Sequence, residues 1–187
     1  MPKAFKGGQP NTPILRGDYQ APAWFVESIE LVIQLDPSDT RVRAVLTVTN
    51  HTVTGSSTPA LQLNGVGLDT GRVLVNDQAV DPSRLDWTDE TLTISDLPDH
   101  ARITTEVRFA PNNNLALEGL YVSGSSMLTQ CEAEGFRKIT WFPDRPDIMT
   151  RFRVRLEAEQ ARYPILLCNG NLVHAGSLGE GRHFAEW

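Results

Sequence analysis

From Val26 onward the chain alternates. Ile29, Leu31, Ile33 and Leu35 fall on one side of an extended segment and Ser28, Glu30, Val32 and Gln34 on the other, the period-two pattern of a half-buried strand. Asp36-Pro37-Ser38-Asp39 supplies a turn, since Pro presets its φ and short polar side chains bond nearby backbone amides. Val42, Ala44, Leu46 and Val48 then alternate against Arg41, Arg43 and Thr47, so the two runs predict an antiparallel hairpin. Shorter strand runs follow at Ala60 to Leu63, Arg72 to Val75, Thr91 to Ser95 and Ile103 to Phe109, punctuated by Asn64-Gly65, Asn76-Asp77 and Asp96-Leu97-Pro98. Further on, Phe152, Val154 and Leu156 alternate with Arg151, Arg153, Arg155 and Glu157, a strand with a charged outer face. Pro164 to Cys168 and Leu172 to Ala175 flank Asn169-Gly170, which predicts a second hairpin.

Helical periodicity is weak throughout. Its best short candidate is Asn112 to Leu120, where Leu115, Ala116 and Leu120 share a face, although Gly119 works against it. Strands separated by turn residues, without crossover helices, predict an all-β fold: an antiparallel β-sandwich over residues 25 to 187. Residues 1 to 24 carry Gly7, Gly8, Pro10, Pro13, Gly17 and Pro22 without periodicity and read as an irregular leader, its end pinned to the body by Tyr19 and Trp24. The last segment stops on Trp187. A large apolar residue there is expected to continue into structure, and the chain is read as a piece of a longer protein.

Composition narrows the function classes. A chain of 187 residues, 40% hydrophobic and 21% charged, has the make-up of one globular domain that needs no disulfide or metal staple. A net charge of -6 argues against a phosphate-tracking nucleic-acid surface and is compatible with cationic ligands. No apolar run approaches a membrane span, and Met1 to Gly8 has two lysines but no apolar core of a secretory signal, so no membrane partner is expected and the location is read as cytoplasmic. Cys131 and Cys168 form no Cys-x-x-Cys pair and read as reduced thiols.

Candidate chemistry is densest in Thr129-Gln130-Cys131-Glu132-Ala133-Glu134-Gly135-Phe136-Arg137, continuing to Asp144-Arg145-Pro146-Asp147. Alternation of Met127, Thr129 and Cys131 against Leu128, Gln130 and Glu132 places Gln130 and Glu132 on one face of a strand end. An amide oxygen beside a carboxylate suits a compact cation with several N–H donors, such as the ammonium group of a peptide N-terminus. The same spacing also marks an ordinary solvated strand face. No catalytic constellation accompanies the pair. His51, His100, His174 and His183 lack the spacing of a His-Glu-x-x-His helix, and the chain has no Gly-x-Ser-x-Gly elbow or phosphate-binding glycine loop. No catalytic residue and no metal ligand is therefore assigned.

The stretch Thr129 to Arg137 with Asp144 to Asp147 resembles the zinc-dependent alanyl aminopeptidase family typified by bacterial aminopeptidase N. Asp18 to Pro22, Leu61 to Gly65, Leu115 to Gly124 and Tyr163 to Asn171 resemble it in matching order, so the likeness runs from about Asp18 to Trp187. It implies the family's N-terminal domain, a saddle-like β-sandwich that packs on a thermolysin-like catalytic domain. It also implies that Gln130 and Glu132 bind the α-amine of a peptide substrate. Zinc is implied for the parent enzyme and not for this chain, because the family's Gly-x-Met-Glu-Asn and His-Glu-x-x-His motifs do not occur in it. Expected partners are the enzyme's own catalytic domain and the substrate N-terminus; alone, the chain is expected to be inactive and to dimerise through the face left uncovered. The rival reading is a free-standing β-sandwich binding module without enzymatic activity.

Overall fold

The computed structural model describes residues 15–52 and 58–187, so the first part of the expected leader lies outside the described residues. The predicted first hairpin is present as β1 (Trp24–Gln34) and β2 (Thr40–Asn50), paired antiparallel. A register shift between Val26 and Ser28 changes the phase of alternation once. Trp24 and Val26 before it, and Ile29, Leu31 and Ile33 after it, thereby all reach the core. The turn between the strands is closed by Asp36, whose Oδ1 accepts from the Ser38 N–H at 2.7 Å, the Ser38 hydroxyl at 2.7 Å and the Asp39 N–H at 3.0 Å. These bonds, led by the Ser38 hydroxyl, hold the Asp36 carboxyl below the usual carboxylate range.

Beyond that hairpin come β3 (Leu61–Asn64), β4 (Asp69–Val75), β5 (Gln78–Ala79), β6 (Leu85–Trp87), β7 (Thr91–Ile94) and β8 (His100–Phe109). They are followed by β9 (Gly119–Ser123), β10 (Ser126–Gln130), β11 (Arg151–Glu159), β12 (His174–Gly179) and β13 (Arg182–Glu186). One eight-stranded sheet runs in the order β12-β13-β11-β1-β2-β8-β4-β5, beside a three-stranded sheet β3-β7-β6 and a hairpin of β9 with β10. Ile29, Leu46, Val48, Ile103 and Val107 of the large sheet join Leu61, Leu63, Leu92 and Ile94 of the small one in a single buried cluster. That sheet-on-sheet core is the β-sandwich the alternation predicts.

Two expectations need correction, and the weak helical candidate does not form. The pairing is not wholly antiparallel: β1 and β11 run parallel, from Ser28 opposite Arg151 to Gln34 opposite Glu157. A parallel neighbour requires a long connection, and the intervening chain supplies it. No helix forms over Asn112 to Leu120. A short 3-10 turn at Pro111–Asn113 is followed by β9. Asn114 Nδ2 donates to the carbonyls of Glu118 and Leu120 at 2.7 and 3.0 Å, while Leu117 and Gly119 adopt positive φ, so helical backbone is lost there. Finally, the last hairpin turns at Glu180 and Gly181 rather than at Asn169-Gly170. Both turn residues have positive φ, as a type I′ turn requires. Pairing β13 with β11 buries Phe184 and Ala185, whereas Ile165, Leu167, Leu172 and Val173 stay largely exposed around Asn169-Gly170; burial decides between the two.

Trp24 and Tyr19 do tie down the start of the described chain. The Trp24 indole N–H donates to the Pro59 carbonyl at 2.9 Å with its ring buried, and the Tyr19 hydroxyl donates to Asp147 at 3.0 Å.

Candidate functional site

Gln130 is the last residue of β10, opposite Gly119 of β9. The strand ends there, so Glu132 does not share a strand face with it as the alternation suggests. Glu132 sits instead in the turn that follows, closed by the Gly135 N–H donating to the Cys131 carbonyl at 2.9 Å. The two residues are nonetheless brought together: Gln130 Nε2 donates to the main-chain carbonyl of Glu132 at 3.2 Å. With the amide nitrogen so engaged, Gln130 Oε1 remains as an acceptor beside an exposed carboxylate. The Glu132-Ala133 peptide is cis.

Two glycines let this turn fold so tightly. A Cβ on Gly135 would run into the Gln130 carbonyl and lie 2.8 Å from Cys131 Cα and 3.1 Å from the Gly119 nitrogen, all backbone atoms. Gly119 has φ +71 and its Cβ would lie 2.7 Å from Lys138 Cβ. Lys138 in turn reaches Glu118 at 2.5 Å, which holds the Glu118 carboxyl below its ordinary range. Nothing in local spacing marks Gly119 for this role, because the Lys138 and Gly135 atoms it makes room for belong to another segment.

Arg137 sits at the end of the turn with a side chain only 17% exposed. Its Nε donates to Asp144 Oδ2 at 3.0 Å, its second arm to the Asp144 carbonyl at 3.0 Å, and it pairs with Glu134 at 3.4 Å. Asp144 Oδ2 also accepts the Arg137 backbone N–H at 3.1 Å. Asn64 at the end of β3 accepts the Asp144 N–H on its Oδ1 at 3.1 Å, and Val66 donates to the Arg137 carbonyl at 2.9 Å. Below this network Phe136, Phe142 and Phe152 pack on one another with ring centroids 5.2 to 6.0 Å apart. Asn64 is a residue that local pattern does not single out. It is 80 positions from Asp144, and only the fold joins them.

Cys131 lies between the two candidate anchors with its thiol half-buried. Burial, and after it the Asp144 charge, push that thiol's pKa up, so the unreactive protonated form prevails. Alkylation of Cys131 by iodoacetamide at pH 8 is therefore expected to run at least about tenfold slower than that of a free thiol. Peptide mapping of a labelling time course checks it; labelling at the rate of a free thiol would show that burial does not suppress the thiolate.

Among the described residues no group of three His, Cys, Asp or Glu side chains converges as a metal site. Also among them, no helix is long and apolar enough to cross a membrane. Open clefts of about 360 Å³ beside Phe25, Met149 and Arg151 and about 390 Å³ between Trp87 and Trp141 are lined by other residues than Gln130 and Glu132.

A sandwich with a two-residue acceptor ledge on a clamped turn has relatives. The sequence profile of the peptidase M1 N-terminal domain matches residues 25–187. This chain belongs to that family. Among curated relatives of this peptidase M1 N-terminal domain, aminopeptidase N of Caulobacter vibrioides is 46% identical over 170 residues, covering 91% of the chain and 19% of the relative. Aminopeptidase N of Escherichia coli is 42% identical over 174 residues, with 92% of the chain and 19% of the relative covered. The peptidase M1 N-terminal domain described here therefore spans about a fifth of the length of these relatives. Among solved structures, aminopeptidase A of Legionella pneumophila in complex with aspartic acid superposes with a TM-score of 0.82 at 30% identity, covering 91% of the chain and 20% of that structure. An M1 zinc metallopeptidase of Deinococcus radiodurans, bound to a Tyr-Ser-Ala substrate, superposes with a TM-score of 0.70 at 16% identity over 88% of the chain and 39% of that structure, a likeness of fold.

Proposed function

We propose that this chain is the substrate-anchoring domain of a zinc aminopeptidase, in which Gln130 and Glu132 hold the free α-amino group of a peptide. One observation carries the reading. On a turn where Glu134, Arg137 and Asp144 are all engaged with one another, the Glu132 carboxylate is exposed and has no hydrogen-bond or ion-pair partner among the described residues. An unpaired carboxylate beside a fixed amide oxygen offers an ammonium two acceptors of different strength. Fixing the amine at one place sets the distance from the first residue to any reacting centre, and cleavage then removes one residue at a time.

The remaining parts of the reading follow from this one. The ledge is open, so the reacting groups and zinc ligands would come from a catalytic domain packed over it. Alone, the chain is read as inactive. Exposed Met149, Phe152, Ile165, Leu167, Leu172 and Val173 supply apolar surface for such a partner. The compartment is read as cytosolic because Cys131 and Cys168 are both free thiols.

Blocking the substrate amine tests the proposal. With full-length enzyme, a peptide carrying a free N-terminus is expected to be trimmed from that end, and its N-acetylated form to be cleaved at least about a hundredfold more slowly, since a neutral amide loses the charge-assisted bonds to Glu132 and Gln130. Comparable rates on the two peptides would overturn it.

A further inference from the structure

We infer that Arg137 is the positioning residue for Glu132, acting with Asp144 and Asn64 as a strut between the anchor turn and the small sheet. This inference rests on the amine-anchoring role proposed for Glu132. Among the described residues the turn makes the Gly135 to Cys131 backbone bond and the Gln130 to Glu132 bond, both internal to residues 130 to 135, and its Gly135 carbonyl accepts the Lys138 N–H at 3.1 Å. Gln130 joins it to β9 through the strand ladder. Its side-chain attachment to the small sheet runs through Arg137. Its guanidinium grips Glu134 inside the turn with one nitrogen and both the carboxylate and the carbonyl of Asp144 with the others. Asp144 is itself fixed by the Asn64 side chain, and the backbone of Asn64 exchanges hydrogen bonds with that of Phe142 at 2.8 and 3.1 Å. The strut therefore ends in β3, whose Leu61 and Leu63 are fully buried.

The arrangement needs a fork. The Arg137 guanidinium presents planar, diverging N–H donors to acceptors on two different segments, which a lysine ammonium on a flexible stem does not reproduce. At side-chain exposures of 17% and 12%, Arg137 and Asp144 are largely shielded from water, so the pair is not the screened surface kind that contributes little. Among the described residues the Glu132 side chain makes no hydrogen bond or ion pair of its own, so its placement depends on how the turn is held.

A double-mutant cycle in the full-length enzyme separates positioning from general support. R137K and E132Q are made singly and together, and kcat/KM is measured on an amino-acid p-nitroanilide with a free amine. R137K is expected to lower kcat/KM about tenfold in the presence of Glu132 and less than about twofold once E132Q has removed the carboxylate. Equal losses in both backgrounds, or no loss in either, overturn the inference. Should R137K not fold, D144N takes its place in the same cycle, because Asn keeps the volume and one acceptor oxygen while removing the charge. An E132Q enzyme with unchanged kcat/KM would instead remove the anchoring role itself, an outcome distinct from additivity.

Discussion

Replacing Glu132 by alanine in the full-length enzyme is expected to lower kcat/KM on a free-amine amino-acid amide by roughly ten- to a few-hundred-fold. The magnitude follows from the bond lost: a hydrogen bond to a charged group contributes about 1.5 to 3 kcal/mol, and about 1.4 kcal/mol is one factor of ten in rate. The upper end applies if closure of a catalytic domain over the ledge excludes water, since the ammonium would then face an apolar or half-solvated site without its counter-charge. Thermal stability should be unmoved, because the exposed Glu132 carboxylate has no hydrogen-bond or ion-pair partner among the described residues. Steady-state kinetics beside a melting curve check both halves. An E132A enzyme with wild-type kcat/KM would remove Glu132 from the site.

Gly135→Ala should give the second largest effect, and by a different route. The φ of Gly135 is -86°, a value any residue adopts, so the cost is one of space alone. The added methyl would meet the Gln130 carbonyl, Cys131 Cα and the Gly119 nitrogen, none of which can swing aside as a side chain can. The backbone must separate by part of an ångström. Overpacking of this kind costs about 1 to 3 kcal/mol, which lowers the unfolding midpoint of the domain by several degrees at about 2 to 4 °C per kcal/mol. The same separation moves the end of β10 relative to the turn, and misplacement on the ångström scale costs up to about a hundredfold in rate. An activity loss of tenfold or more together with the lowered midpoint is therefore expected. Loss of stability with full activity would mean that Gln130 and Glu132 tolerate being moved apart.

Much of the fold could be read from alternation, because β1, β2 and β11 each put one apolar face on the core and one polar face toward solvent. Where one signal stands for two outcomes, local pattern does not decide between them. Asn169-Gly170 has the chemistry of a hairpin turn, yet the apolar residues around it have no core to enter, and the register that buries Phe184 and Ala185 prevails. Gln130 and Glu132 were legible as a pair but for a reason the structure replaces: a side-chain to backbone hydrogen bond across a turn joins them, not a shared strand face. The pairing of Arg137 with Glu134 and Asp144 was open to anticipation from their closeness in sequence. Asn64 was not, since it meets Asp144 only after segments 80 residues apart in the chain come together.

The parallel contact of β1 with β11 also bears on how the protein is made. Gln34 and Glu157, neighbours across that contact, are 123 residues apart in the chain. On a ribosome β1 emerges early, and it finds β2 at once through a short turn. Its other edge must wait until β11 has cleared the exit tunnel, and in that interval the backbone donors and acceptors of β1 are open to strands of other chains. The anchor turn lies within the loop that this late pairing closes. A nascent chain stalled before Arg151 would carry Gln130 and Glu132, the residues proposed to hold the amine, before β11 has covered the open edge of β1.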